Sequence, residues 1–259
     1  MTTDLVFAAD HRSSAVFRAR EAGVLAGLDA ALEAFRQLSA DVGVTGALAD
    51  GTSLNPGTVI ARITGPTRAL LTGERTALNL LSHLSGIATR TRRLVEAVAG
   101  TRATITDTRK TLPGLRALQK YAVTVGGGRN HRFGLDDAAL LKDNHIAACG
   151  SVTEAVRRVR AGVGHTVKIE VEVDNLTQFD EALALEPDII LLDNFSAADL
   201  KTAVARRDAG PCHKRILLEA SGRVTEATAR ALAETGVDLI SVGALTHSVT
   251  VLDIGLDSD

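Results

Sequence analysis

The sequence predicts a mixed α+β segment followed by a parallel α/β sheet of barrel or doubly wound type. From Thr101 onward, short β-rich runs alternate with amphipathic helical stretches. That alternation implies a parallel sheet, because parallel neighbours need a crossover connection. The strands are apolar on both faces, as in a sheet covered on each side. About six can be read, fewer than the eight of a complete barrel.

Taken in order, the first 75 or so residues are mixed. "AVFRAREAGVLAG" holds strand-like stretches broken by Gly23 and Gly27. "DAALEAFRQL" has helical spacing, with Asp29 as its expected N-cap. "NPG" at Asn55–Gly57 is a turn, and "TVIARIT" alternates as a strand does. A long helical region then runs from Pro66 to Val98, interrupted near Ser85 and Gly86. Beyond it the strands are "RATITD", "AALLK", "TVKIEVEV", "DIILLD", "RILLEA" and "LISVG". The helices between them are "SVTEAVRRVRAG", "NLTQFDEALAL", "SAADLKTAVARR" and "TEATARALAETG".

Composition excludes several function classes. The 259 residues suffice for one large or two modest domains. A net charge of −2 gives no global positive field to attract nucleic acid or a membrane surface. With no Trp and one Tyr, base-stacking platforms are not expected. No segment approaches the roughly 18 apolar residues of a membrane span. Met1 to Arg12 carries no long apolar run, so no signal peptide is expected. Cys149 and Cys212 cannot build a disulfide framework and point to a reducing, cytoplasmic setting.

The strand ends carry the chemistry-bearing residues, as the C-terminal rim of an α/β barrel does. A cationic set comprises Arg109, Lys110, His131, Arg132 and Lys142. Arginine offers a planar fork for carboxylate or phosphate, and lysine a mobile point charge. Arg75 lies outside this region, in "GERTALN", where an ordinary surface arginine is the default reading. Glu172 and Asp193 form an acidic pair on adjacent strand ends, suited to Mg²⁺ through water or to sugar hydroxyls. Glu170, two residues earlier on the same face, is a rival to Glu172. "ASGR" (Ala220–Arg223) and "VGAL" (Val242–Leu245) close the last strands with small residues that let backbone N–H groups approach a phosphate. "GGGR" at Gly126–Arg129 reads as a flexible turn. There is no Walker A pattern, no GxGxxG fingerprint, no GxSxG elbow, and no zinc-ligand spacing between a histidine and a cysteine. The residues alone therefore describe an enzyme with a positive pocket, an Mg²⁺ site and a phosphate site, acting on strongly anionic substrates.

The stretches "GERTALNLLSHLSGIATRTRRLV", "ITDTRKTLPGLRALQKYAVTVGGGRNHRFGLDDAALLKDNHI", "IEVEVDN", "IILLDNF", "LEASGR" and "VGALTHSVTVLDIGLD" together resemble the quinolinate phosphoribosyltransferase family, from Arg18 to Asp257. The long "DTRKT…KDNH" block is the most specific of them. The resemblance implies an α+β sandwich domain over 1–77, to which the tail 249–259 returns, and an incomplete α/β barrel of six to seven strands over 78–248. It implies transfer of phosphoribose from phosphoribosyl pyrophosphate to the quinolinate nitrogen with loss of CO₂, giving nicotinate mononucleotide and pyrophosphate with Mg²⁺.

Carried over by motif, Arg75, Arg109, His131, Arg132 and Lys142 would grip the two quinolinate carboxylates, with Thr108 in the same substrate-binding set. Arg75 would come from the neighbouring subunit of a homodimer or higher even oligomer. Lys110 and Lys142 would face pyrophosphate, and Glu172 and Asp193 the ribose hydroxyls and the metal. Ser221, Gly222, Gly243 and Ala244 would bind the 5′-phosphate through backbone amides, with Arg223 and Val242 in the same loops. The family usually begins with a further acidic helix, and this chain starts after that point. Its phosphate loop usually reads Ser-Gly followed by Gly or Asn, whereas Arg223 follows here, either as an added phosphate contact or as a Cβ opposing a positive φ. Two alternatives stand beside this expectation: a paralogue acting on another carboxylated aza-heterocycle, and a non-catalytic sensor of quinolinate or phosphoribosyl pyrophosphate.

Overall fold

The computed structural model describes residues 1–210 and 215–259; Cys212 and His213 lie outside the described residues. Contacts divide the chain into two compact units. One comprises Met1–Arg92, Ala117–Gly127 and Ser248–Asp259, the other Arg93–Arg116 and Gly128–His247. The expected division at 77/78 falls inside a helix.

The chain opens with α1 (Thr2–Val6), β1 (Arg12–Ala19), β2 (Gly23–Val24) and α2 (Leu28–Arg36). It continues through β3 (Gly43–Thr45), β4 (Ser53–Leu54), β5 (Val59–Pro66) and α3 (Thr67–Ala97). In α2, Leu28, Ala31, Leu32 and Phe35 recur at helical spacing and are buried. Phe35 meets Phe17 of β1 edge to face, ring centroids 6.1 Å apart. Asp29 does not cap α2. Gly27 is the N-cap, in the left-handed region at φ 85°, and Asp29 lies within the first turn. The Asp50 carboxylate reaches in from the 46–52 loop and accepts the Gly27 N–H at 2.7 Å and the Leu28 N–H at 3.3 Å. A remote carboxylate thus does what a local cap would, at the end of the helix where negative charge is favoured.

Helix α3 is continuous, so the interruption expected at Ser85 and Gly86 is absent. Both residues serve packing instead. The Ser85 hydroxyl accepts the Ala26 N–H at 3.0 Å. A Cβ at Gly86 would stand 2.3 Å from the Thr250 carbonyl oxygen, so glycine there lets the 250–252 backbone lie against the helix.

Beyond α3 run β6 (Thr104–Thr106), α4 (Arg116–Val125), β7 (Ala139–Leu141), α5 (Asp143–Cys149), α6 (Val152–Gly162) and β8 (Ile169–Val173). Then come α7 (Leu176–Ala184), β9 (Ile189–Asp193), α8 (Ala197–Ala209), β10 (Leu217–Ser221), α9 (Glu226–Ala233), β11 (Leu239–Ser241), α10 (Ala244–His247) and β12 (Ile254–Ser258). β12 pairs antiparallel with β1 and completes a four-stranded sheet of order β12-β1-β5-β3. Helix α4 belongs to the same unit, where Tyr121 donates to Asp50 at 2.8 Å. Burial and that carboxylate push the Tyr121 phenol up to about 12.

The second unit is a parallel sheet of order β6-β11-β10-β9-β8-β7. This is the cyclic order of a barrel opened between its first two strands, so the incomplete barrel is as expected. A sixth pairing is a single parallel bridge, Thr106 to Arg129, on the open side of β6. Val171, Ile190, Leu192, Leu218 and Ile240 are fully buried on one face, as are Phe179, Ala182, Ala203 and Ala229 on the helices. The residues between them in each strand point to the other face, and those are largely polar.

Candidate active site

That polar face lines a cavity of about 600 Å³ at the C-terminal ends of the strands. Register sets its layers. Glu172, Leu191 and Glu219 lie level across β8, β9 and β10. One layer higher stand Asp193, Ser221 and Ser241. All of these line the cavity.

The loop after β6 brings Thr108, Arg109 and Lys110 to the rim. The Thr108 hydroxyl accepts the Lys110 N–H at 3.0 Å, and Arg116 holds the Arg109 carbonyl at 3.3 Å and the Thr111 hydroxyl at 3.0 Å. The Lys110 carbonyl accepts from Thr246 at 2.8 Å. Among the described residues, Arg109 Nε is buried with no hydrogen-bond partner. Arg132 faces the same cavity and donates to the Ala138 carbonyl at 3.2 Å. Burial first, then the Arg109 guanidinium, hold Arg132 below the usual arginine range. Two guanidiniums are thus held together without enough anion between them.

His131 is fixed from three sides. Its N–H donates to Asp107 at 2.8 Å, and its Nδ1 accepts the Arg132 N–H at 2.8 Å. An accepting Nδ1 puts the ring proton on Nε2, which donates to Glu170 Oε1 at 3.3 Å. Glu170 is therefore a buried anchor beneath the rim, and Glu172 is the carboxylate that meets the cations, through Lys142 Nζ at 2.6 Å. Asp193 accepts from Asn194 at 2.7 Å. Lys142 begins α5 as its N-cap.

The phosphate candidates lie beside this. Ser221 lines both the main cavity and an adjoining one of about 250 Å³, which Gly222 and Arg223 also line. Gly222 has φ 148°, and a Cβ there would sit 2.9 Å from Asn194 Oδ1. Arg223 is exposed and has no positive φ, so its side chain does not oppose the loop's conformation. The Val242 N–H is engaged by the Thr106 carbonyl at 2.9 Å, and its side chain is buried. Gly243 packs against the Lys110 side chain, 3.0 Å from its would-be Cβ, and Ala244 starts α10. Arg75 stands on α3 in the other unit, three-quarters exposed, 4.0 Å from Glu74.

The structure thus brings Thr108, Arg109, Lys110, His131, Arg132, Lys142, Glu172, Asp193 and Ser221 to one cavity. Gly222, Arg223, Val242, Gly243, Ala244 and Arg75 are not among its lining. The polar lining residues given no role from sequence are Asp143, Asn144, Glu219 and Ser241. Glu219 sits two residues before Ser221 and so shares its face, which period-2 counting along "LEAS" would have shown.

Comparison with known proteins bears on the same residues. The quinolinate phosphoribosyl transferase N-terminal domain matches residues 1–85, and the C-terminal domain of that family matches 87–257. Nicotinate-nucleotide pyrophosphorylase (carboxylating) of Mycobacterium leprae is 54% identical over 243 residues, covering 92% of this chain and 84% of the relative. A probable nicotinate-nucleotide pyrophosphorylase (carboxylating) of Bacillus subtilis is 47% identical, covering 92% of this chain and 81% of its own. The crystal structure of NadC from Streptococcus pyogenes superposes with a TM-score of 0.93 at 42% identity, covering 99% of this chain and 89% of that one. An opened barrel with a cationic rim, both domain matches end to end, and relatives at this identity lead to one conclusion: the chain belongs to the quinolinate phosphoribosyltransferase family.

Proposed function

We propose that this chain transfers phosphoribose from phosphoribosyl pyrophosphate to the ring nitrogen of quinolinate and releases CO₂, forming nicotinate mononucleotide and pyrophosphate in NAD biosynthesis. The observation that carries the reading is the Arg109–Arg132 pair. Both guanidiniums face one cavity; Arg109 Nε has no hydrogen-bond partner among the described residues, and burial and the Arg109 charge hold Arg132 below the usual arginine range. A planar dicarboxylate supplies the missing acceptors, and arginine forks match carboxylates in bidentate fashion. His131 lines the same wall and, tied to the Arg132 backbone and to Glu170, orders this grip.

On this reading Lys110 and Lys142 neutralise the departing pyrophosphate, and Ser221 and Gly222 receive the 5′-phosphate. Glu172 and Asp193 are hard oxygen donors on adjacent strand ends, which suits Mg²⁺, an ion that keeps several waters and takes few protein ligands. When bound there, the ion supplies positive charge to the pyrophosphate oxygens. The protein holds the pyridine nitrogen against ribose C1, and the C1–oxygen bond breaks with oxocarbenium character. Ribosylation makes the ring a pyridinium, whose adjacent positive nitrogen stabilises the electron pair left on C2 as that carboxylate departs as CO₂, and a proton from water then forms the C2–H bond of the product. Arg75 completes the grip from a second copy of the chain in a two-fold dimer. The enzyme acts in the cytoplasm.

Ligand stabilisation tests the dicarboxylate reading. At a hundredfold excess over its dissociation constant, a ligand that binds the folded state alone adds about 2.7 kcal/mol. Quinolinate and phthalate should raise the melting temperature, and nicotinate, with one carboxylate, should raise it less. Equal shifts for nicotinate and quinolinate would remove the dicarboxylate site.

A further inference from the structure

Below the cations, the cavity floor carries more carboxyl groups than a dry site can hold ionised. Asp107, Glu170 and Glu219 come from just after β6, from β8 and from β10 respectively, and each is at most 1% exposed. Their partners are unequal. Asp107 accepts the His131 N–H, and Glu170 accepts the ring proton on His131 Nε2. Glu219 lies 3.7 Å from the same Nε2, which Glu170 already occupies. Neither Glu219 oxygen accepts a well-formed hydrogen bond, although the Ser241 hydroxyl of β11 lies alongside. From β9 the neighbour at its level is Leu191, which is neutral. Like charges so placed cannot all ionise, and the least compensated group keeps its proton.

We propose that Glu219 is the proton-holding residue of the dicarboxylate site: protonated, it spares the cavity floor one negative charge where a dianion must bind, and binding of the dianion completes its protonation. The inference rests on the reading of this cavity as the dicarboxylate site. Burial first, and then the Glu170 charge, push the Glu219 carboxyl up to about 7 in the empty site, while His131 opposes the rise. Around neutral pH the floor therefore gains one further negative charge, that of Glu219. Because Glu219 lines the same cavity as Arg109, Lys110, Arg132 and Lys142, that switch is felt where the carboxylates bind. The sign follows. An anion nearby raises the affinity of Glu219 for its proton, so binding takes up protons near pH 7, and affinity falls as pH rises through the titration.

The test is calorimetric titration of the full chain with phthalate, a non-reactive dicarboxylate, from pH 6.5 to 8.5 in buffers of different ionisation enthalpy. Wild type should take up a fraction of a proton per site near pH 7 and bind about tenfold more weakly at the alkaline end, as one linked proton allows. Glu219→Gln, which is isosteric with the protonated acid, should bind with neither uptake nor pH dependence. The same uptake and slope in both proteins would overturn the proposal, because the proton would then sit elsewhere. Should the variant fail to fold, the infrared difference spectrum of wild type on adding phthalate decides. A protonated-carboxyl band that shifts on ¹³C-glutamate labelling supports the proposal, and its absence overturns it. Phthalate that fails to bind at every pH would instead remove the dicarboxylate reading, and the inference with it.

Discussion

Lys142 meets Glu172 at 2.6 Å on the cavity rim, close to where the leaving pyrophosphate would gather charge. Removing one preorganised electrostatic stabiliser commonly costs a factor of 10² or more. Lys142→Ala should therefore lose about 10² in kcat, measured with both substrates saturating. Arg132→Lys should stay impaired, because an ammonium cannot reproduce a two-pronged contact. Near-native activity in either variant removes that residue from the site. Glu219 gives a second residue-scale prediction, in stability. Its carboxyl holds a proton more tightly in the folded state than in the unfolded chain. The native state then binds more protons between the unfolded value and about 7, and stability falls as pH rises through that window. Glu219→Gln should melt at a higher temperature than wild type at pH 8, with the difference vanishing below pH 4. The cationic rim was legible because charged residues ended otherwise apolar strands. Glu219 stood among those strand ends but was given no role, because "RILLEA" alone does not show which face points inward.

In the second half the strands β6–β11 and the helices α6–α9 followed from pattern alone, since each of those strands is a short apolar run bounded by polar strand ends, whereas α4, α5, α10 and β12 did not. The first half resisted for physical reasons. The Asp50 carboxylate that serves α2 is distant in sequence, so local capping rules named Asp29 instead. Gly86 looked like a break but marks a close backbone crossing, which no local rule detects. Gly86→Ala should therefore destabilise by about 2 kcal/mol through overpacking, opposite to the helix-propensity gain that Gly to Ala usually gives. Urea denaturation reads the sign. In the second unit, Arg207 of α8 is fully buried and bonded to Asp238, which also accepts the Leu218 N–H at 2.9 Å. Asp238→Ala removes the buried partner of that guanidinium, leaving it only the more exposed Asp208 at 2.8 Å, and should cost about 3 kcal/mol by the same measurement.

At the scale of the molecule, Arg75 poses the geometric question. It is exposed on α3, in the unit that does not contain the cavity. On the proposed function, a two-fold dimer would resolve this by giving each cavity its partner's arginine. Arg75→Ala and Lys142→Ala proteins should each be nearly inactive. Mixed and allowed to exchange, about half the dimers become hybrids, and one of the two sites in each hybrid is intact, so about a quarter of all sites recover. No recovery after demonstrated exchange would place Arg75 in cis or outside the site. The central claim is the reaction itself. Quinolinate labelled at its C2 carboxyl carbon, incubated with phosphoribosyl pyrophosphate, Mg²⁺ and the full chain, should release labelled CO₂ in one-to-one ratio with nicotinate mononucleotide and pyrophosphate. A chain that binds quinolinate but yields no nucleotide, or one that forms nucleotide while retaining the label, would contradict it.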